Sequence, residues 1–150
     1  MLHSPLKAKT LRCSMRQRNL WSPSFWRSQR QVREFRDAAA FGEKLYLSAS
    51  TPVGCANQSE IRYQLEPYIV PFADFGQWNG KRVLEIGVGL GADHQKFAEA
   101  GAELVRVDLT ERVIKHTRER LAQRRLQSDL RIGDAENLGF SDGQFDLVYS

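Results

Sequence analysis

The chain has few cysteines and no long apolar run. Its 150 residues include two cysteines, Cys13 and Cys55, which lie 42 positions apart and form no Cys-x-x-Cys pair. This predicts neither a disulfide framework nor a cysteine-based metal site, and it suits a reducing compartment such as the cytoplasm. No stretch reaches the roughly 18 consecutive apolar residues that span a bilayer, so the sequence does not indicate a membrane protein.

Acidic residues are missing from the first 33 positions. Residues 1–33 contain eight Lys or Arg and no Asp or Glu, and the whole chain has a net charge of +4. The remaining residues hold 14 basic and 18 acidic side chains, so the high isoelectric point comes from the N-terminal segment alone. The sequence therefore does not predict a nucleic-acid-binding domain.

The basic segment over residues 1–33 has several interpretations. We expect a disordered extension, or residues that precede the true start of translation. The Arg-rich, Ser-rich and acid-free composition is also typical of an organelle transit peptide. A nucleic-acid-binding arm is a further alternative, because Trp21, Phe25 and Trp26 would stack on bases.

The chain is expected to divide into three parts. The basic extension is followed by a lead-in segment over residues 34–56, with a short helix around Glu34–Leu47, and by a domain over residues 57–150.

A helix is predicted to begin at Asn57. Asn57 and Glu60, three positions apart, are typical of a helix capping box. Pro67 and Pro71 are expected to interrupt or end this helix.

Strands and helices alternate regularly from Arg82 onwards. We predict strands over Arg82–Ile86, Leu104–Asp108, Leu130–Ile132 and Phe145–Tyr149, and helices over Ala92–Ala100 and Glu111–Leu126, the second with Thr110 as N-cap. Short connections between such elements indicate an α/β fold with a parallel sheet and right-handed crossovers.

A glycine-rich turn follows the first predicted strand and opens a helix. In the stretch VLEIGVGLGAD, small residues let a ligand approach the backbone, and the free amides of the helix N-terminus face the ligand. Asp108, 19 residues after Gly89, ends the second strand, where a carboxylate can accept both ribose hydroxyls. Gly87, Gly89 and Ala92 also satisfy the dinucleotide fingerprint, so these residues leave a nicotinamide cofactor open.

Three motifs resemble those of class I S-adenosylmethionine-dependent methyltransferases that act on small molecules. They are VLEIGVGLGAD, VRVDLTE and GDAENLGFSDGQFDLVYS, in this order, and the resemblance covers about residues 58–150. It implies a Rossmann-like, doubly wound sheet of strand order 3-2-1-4-5-7-6, of which this sequence supplies strands 1 to 4. We therefore expect a C-terminally truncated methyltransferase, with its cofactor half present and its substrate half absent.

The resemblance assigns cofactor-binding roles to the first motif. Gly87, Gly89 and Gly91 would form the turn beneath the methionine part of S-adenosylmethionine. Glu85 would hold the loop and help to receive the methionine amino group, directly or through water.

The second and third motifs would bind the adenosine part. Asp108 would bind the ribose hydroxyls, Asp134 would accept from the adenine amino group, and the N–H of Ala135 would donate to a ring nitrogen. The family often has Pro where this chain has Gly139, which should loosen the loop.

No catalytic residue and no metal ligand is predicted. His94 and His116 are expected to have surface or packing roles, and Arg62 and Tyr63 would reach over the cofactor as a lid. The methyl acceptor is expected to be a small molecule, without nucleic acid or membrane, and the sequence does not indicate its identity or the oligomeric state.

Two alternatives remain open. One is the NAD(P)-binding half of a Rossmann dehydrogenase. The other is a non-catalytic cofactor-binding module that pairs the apolar edge of its fourth strand (Phe145, Leu147, Val148) with another chain.

Overall fold

In the computed structural model, residues 51–87 and 89–150 are described, together with residues 31, 33 and 34. Apart from those three residues, the predicted basic extension over residues 1–33 and the helix around Glu34–Leu47 lie outside this part of the chain. No helix among the described residues is both long enough and apolar enough to cross a membrane.

Helices and strands alternate as the sequence predicts. The elements are α1 (Pro52–Leu65), α2 (Ile69–Ala73), a 3-10 helix (Phe75–Trp78), β1 (Arg82–Ile86), α3 (Ala92–Glu99), β2 (Glu103–Asp108), α4 (Glu111–Ala122), β3 (Asp129–Ile132) and β4 (Leu147–Tyr149). The last strand is two residues shorter than predicted. Helix α4 ends four residues early, because Arg125 adopts a left-handed φ of 56° and the Leu126 N–H donates to Leu121 O.

The four strands form one parallel sheet in the order β3-β2-β1-β4. This is the order predicted for the first four strands of a doubly wound sheet. Glu85 of β1 lies in register with Arg106 of β2 and with Tyr149 of β4. Because the strands are parallel, the loops that follow them meet at one edge of the sheet.

The start of α1 differs from the prediction. The helix begins at Pro52, with Thr51 as N-cap, and the Thr51 Oγ1 accepts a hydrogen bond from the Gly54 N–H at 3.1 Å. The predicted start at Asn57 is wrong, since Pro at the first helical position after a Thr cap begins the helix earlier. The predicted break at Pro67 is confirmed, because α1 ends at Leu65.

Apolar side chains pack on both faces of the sheet. On one face Val83 and Leu104 pack with Phe97 of α3, whose ring lies 4.7 Å from that of Phe75. On the other face Leu84, Val105 and Val107 form a second cluster, with Phe140 and Phe145 against it. Both faces of β1 and β2 are therefore buried, and their buried polar residues, Glu85, Arg106 and Asp108, lie toward the carboxyl ends of the strands.

Candidate cofactor-binding site

The glycine-rich turn joins β1 to α3. Gly87, Gly89 and Gly91 have φ of 57°, 39° and 74°, a region that side chains with a Cβ rarely adopt. A Cβ on Gly91 would also lie 2.9 Å from Thr117 Oγ1, whereas a Cβ on Gly87 would meet no atom within 4 Å. Gly91 is therefore required by packing against α4, and Gly87 borders open space at the turn.

Glu85 lies in β1, two residues before the turn, and is completely buried. Its Oε2 contacts the Nδ1 of His94, while its Oε1 is buried with no hydrogen-bond partner among the described residues. An unsatisfied buried acceptor costs about 1–3 kcal/mol, and more when it is charged. This oxygen therefore suits a hydrogen-bond donor of a ligand.

His94 does not lie at the surface. It is fully buried in the first turn of α3, and its Nε2 lies 2.8 Å from Ser128 Oγ. Its contact with Glu85 was missed by the sequence reasoning. The available signal was the position of the histidine on the first turn after the glycines, where a side chain can face back toward the preceding strand.

Asp108 ends β2 and is almost completely buried. Its Oδ1 accepts hydrogen bonds from the N–H and the hydroxyl of Thr110, at 3.0 and 3.2 Å. Its Oδ2 lies 3.9 Å from the Arg106 guanidinium, which also donates to Gly89 O at 3.2 Å. The predicted N-cap Thr110 thus precedes α4 but uses its hydroxyl on Asp108, which it holds in one orientation beside the turn.

The segment after β3 lies next to the end of β2. The Gly133 N–H donates to Asp108 O at 2.9 Å, and Asp134 Oδ1 accepts from the Glu136 N–H at 2.9 Å. Asp134 is half-buried and Ala135 is exposed. The seven residues predicted to bind the cofactor therefore meet at the carboxyl edge of the sheet, and their cofactor contacts stay predictions.

Asp93 was not singled out from the sequence. It is fully buried in the first turn of α3, where the positive end of the helix dipole stabilises an acidic side chain. Arg62 donates to both of its oxygens, from Nε at 3.2 Å and from Nη2 at 2.8 Å, and the hydroxyls of Tyr63 and Tyr149 donate at 2.9 and 3.1 Å. Helix α1 and strand β4 are thereby joined next to the glycine turn.

The surroundings of Asp93 shift the ionisation of its partners. Burial, together with the Asp93 carboxylate, raises the pKa of Tyr63 and of Tyr149 above the usual value of a phenol. Burial lowers the pKa of Arg62, but the hydrogen bond and charge of Asp93, together with the charges of Glu66 and Tyr149, outweigh it and the net shift is upward. At neutral pH both phenols are therefore protonated donors and Arg62 is a cation. Whether Arg62 and Tyr63 cover a cofactor stays a prediction.

Among the residues that the structure describes, no group of three or more His, Cys, Asp or Glu is arranged to hold a metal ion. Cys55 is buried and forms no disulfide.

The comparisons with known proteins point to methyltransferases. Residues 83–150 match the model of the methyltransferase-domain family. An uncharacterized protein of Mycobacterium tuberculosis is 33% identical over 91 residues, 61% of this chain and 32% of that protein. The demethylmenaquinone methyltransferase of Renibacterium salmoninarum is 35% identical over 69 residues, 46% of this chain and 27% of that enzyme. The chain spans about a third of the length of the curated relatives it matches.

A solved structure shares the fold. Magnesium protoporphyrin IX methyltransferase of Synechocystis, determined with bound S-adenosylhomocysteine, superposes with a TM-score of 0.60 over 80% of this chain and 56% of that enzyme. The two are 19% identical, so this likeness shows the fold alone. Residues 83–150 thus match a methyltransferase-domain model, and the described part of the chain shares its fold with a methyltransferase.

Proposed function

We propose that the chain binds S-adenosylmethionine at the carboxyl edge of its sheet and supplies the cofactor-binding part of a methyltransferase that acts on a small molecule. One observation carries the proposal. The buried carboxylates of Glu85 and Asp108 lie on adjacent strands beside the glycine turn, and Glu85 Oε1 has no partner among the described residues. The family match of residues 83–150 supports the same assignment.

Each polar group at this edge suits one part of the cofactor. Glu85 Oε1 would accept from the methionine ammonium group, and Asp108 would accept from the ribose hydroxyls. Asp134 would accept from the adenine amino group, while the Ala135 N–H would donate to the adenine ring. Thr110 fixes the orientation of Asp108 before a ligand binds, which lowers the entropic cost of binding.

The cofactor supplies a methyl group that a sulfonium makes electrophilic, with a neutral thioether as leaving group. The protein has to hold donor and acceptor in line and to exclude water. A small-molecule acceptor is supported by the similarity to demethylmenaquinone methyltransferase. The scarcity of cysteine favours the cytoplasm as the compartment. None of the relatives reported above supports the NAD(P)-binding alternative.

Calorimetric titration of the 150-residue chain tests the proposal. We expect S-adenosylhomocysteine to bind and NADH to give no heat of binding. Binding of NADH without binding of S-adenosylhomocysteine would overturn the proposal.

Substitution of Asp108 tests the ribose contact. Asp108→Ala is expected to weaken S-adenosylhomocysteine binding by about 1.5–3 kcal/mol, since it removes hydrogen bonds to a charged acceptor. Asp142→Ala, in an exposed turn before β4, is the matched control and should leave the affinity unchanged. Equal affinities of the two variants would remove Asp108 from the site.

A further inference from the structure

Three polar side chains form a connected row next to the glycine turn: Glu85, His94 and Ser128. Glu85 and His94 have no exposed surface, and Ser128 is partly buried. Glu85 Oε2 contacts His94 Nδ1, and His94 Nε2 lies 2.8 Å from Ser128 Oγ. Ser128 Oγ in turn lies 3.0 Å from the carbonyl oxygen of Leu104 in β2. The row therefore ties the carboxylate of β1 to the backbone of the neighbouring strand.

The protons in this row can be assigned from its partners. A carbonyl oxygen can only accept, so the single hydroxyl hydrogen of Ser128 is donated to Leu104 O. The contact between Ser128 and His94 then requires a hydrogen on His94 Nε2. The Nδ1 side faces Glu85 Oε2, and one proton lies between these two atoms. Whichever of them holds it, Oε2 is committed to His94.

The commitment of Oε2 determines what the other oxygen can do. A carboxylate held at one oxygen by a buried imidazole cannot rotate, and the imidazole itself is held by Ser128. Glu85 Oε1 is then presented in one direction, buried and without a partner among the described residues. A group with several N–H donors and a positive charge would satisfy it best. The methionine end of the proposed cofactor carries such an ammonium group.

We propose that His94 is a positioning residue, which holds Glu85 so that Oε1 receives the ammonium group of the cofactor. The site thereby prefers nucleoside thioethers that carry an amino-acid group over those that lack it. This inference rests on the proposed function and adds a residue that acts through Glu85. A merely structural role of His94 would affect all ligands of the site alike, which separates the two explanations.

Two probes measure this preference by calorimetric titration of the full chain. S-adenosylhomocysteine carries the amino-acid group, and 5′-methylthioadenosine has the same adenosine and thioether without it. The ratio of their dissociation constants is the readout. His94→Gln keeps a donor toward Ser128 and loses the group at the Nδ1 position, whereas His94→Asn keeps a donor at the Nδ1 position. His116→Gln, on α4, is the control.

We expect His94→Gln to weaken S-adenosylhomocysteine binding about tenfold or more and methylthioadenosine binding less than about twofold. His94→Asn and His116→Gln should keep the wild-type ratio. If His94→Gln leaves the ratio of the two dissociation constants unchanged, whether both affinities fall equally or neither falls, the inference is overturned. Urea denaturation checks that each variant folds. If His94→Gln does not fold, Ser128→Ala takes its place in the titrations. A lower preference of Ser128→Ala for S-adenosylhomocysteine supports the inference, and an unchanged preference overturns it.

The wild-type protein separates this inference from the proposed function. If it binds neither probe, both fail. If it binds the two probes equally well, the adenosine site stands and the role of His94 is refuted.

Discussion

At the scale of single residues, Asp93 has the largest number of long-range polar partners on α3. Its carboxylate accepts hydrogen bonds from Arg62 and Tyr63 of α1 and from Tyr149 of β4. Because Asp93 is completely buried, its charge depends on these donors and on the helix N-terminus for stabilisation. Loss of the carboxylate would leave the partly buried guanidinium of Arg62 with the more exposed Glu66 as its counterion.

Asp93→Asn should therefore lower the free energy of unfolding by about 3 kcal/mol, in the range found when one partner of a buried ion pair is removed. Glu66→Gln is the matched control, because Glu66 also pairs with Arg62, at 2.9 Å, but in an exposed position just after the end of α1. We expect the control to change stability by less than about 0.5 kcal/mol. Urea denaturation measures both. Similar effects of the two substitutions would contradict a special role of Asp93.

The phenol of Tyr63 makes stability depend on pH. Burial and the neighbouring Asp93 raise its pKa in the folded state above the unfolded value of about 10. The folded state then holds the proton more tightly, so this contribution is complete below pH 10 and is lost as the pH rises above it. The difference in unfolding free energy between wild type and Tyr63→Phe should therefore shrink as the pH rises from about 10 to about 11. A difference that is constant over this range would exclude the effect.

At the scale of elements, α1 is held to the domain by Arg120 of α4. Arg120 is almost completely buried and donates to Gln95 Oε1 and Gln58 Oε1, both at 2.7 Å. It also donates to the carbonyl oxygen of Cys55 at 3.0 Å and to the Ser59 hydroxyl. All of these acceptors are neutral, and burial lowers the pKa of Arg120. Arginine presents five N–H donors on the three nitrogens of a planar fork, whereas lysine presents three on a single nitrogen and so reaches fewer of these separated acceptors.

Arg120→Lys should destabilise the protein by about 2 kcal/mol, because it leaves buried acceptors on α1 without donors. Arg118→Lys is the control. It makes the same substitution at an exposed position of the same helix, so charge and helix propensity change as they do in Arg120→Lys, and stability should not change. Urea denaturation gives the stability, and limited proteolysis gives the release of α1. If α1 of the Arg120→Lys variant resists cleavage as the control does, Arg120 does not hold it.

At the scale of the whole molecule, the two edges of the sheet differ in chemistry. Edge strand β3 carries the exposed ion pair of Asp129 and Arg131, which disfavours pairing with another strand. Edge strand β4 has the sequence Leu-Val-Tyr, and Val148 is 57% exposed. Within the described part of the chain β4 pairs only with β1. Association between molecules is therefore expected at the β4 edge.

Val148→Lys should reduce concentration-dependent association, since a charge on an edge strand opposes pairing. Ile132→Lys is the control. It places the same charge on β3, at a side chain about as exposed as Val148, and is expected to have little effect. Sedimentation velocity over a range of protein concentrations measures both variants. Equal behaviour of the two would show that the β4 edge is not the contact.

Local patterns were enough to predict the alternation of strands and helices and the glycine turn. These features depend on residues a few positions apart, as the φ angles of Gly87 and Gly91 illustrate. The start of α1 was predicted wrongly because two capping signals compete, and Thr51-Pro52 prevails over Asn57. The strand order followed from the family resemblance, which implies a topology that no short stretch encodes.

The polar contacts around the site depend instead on how distant elements pack. Asp93 meets partners 30, 31 and 56 positions away, and His94 meets Ser128 34 positions away. A carboxylate in the sequence does not show which donors will surround it, because burial and hydrogen bonding arise when helices settle on the sheet. The amino-acid order thus specifies the fold class and the acids at the strand ends. The packing of α3 on the sheet decides which oxygen of Glu85 is left without a partner among the described residues, and the packing of α1 and β4 around α3 decides which donors surround Asp93.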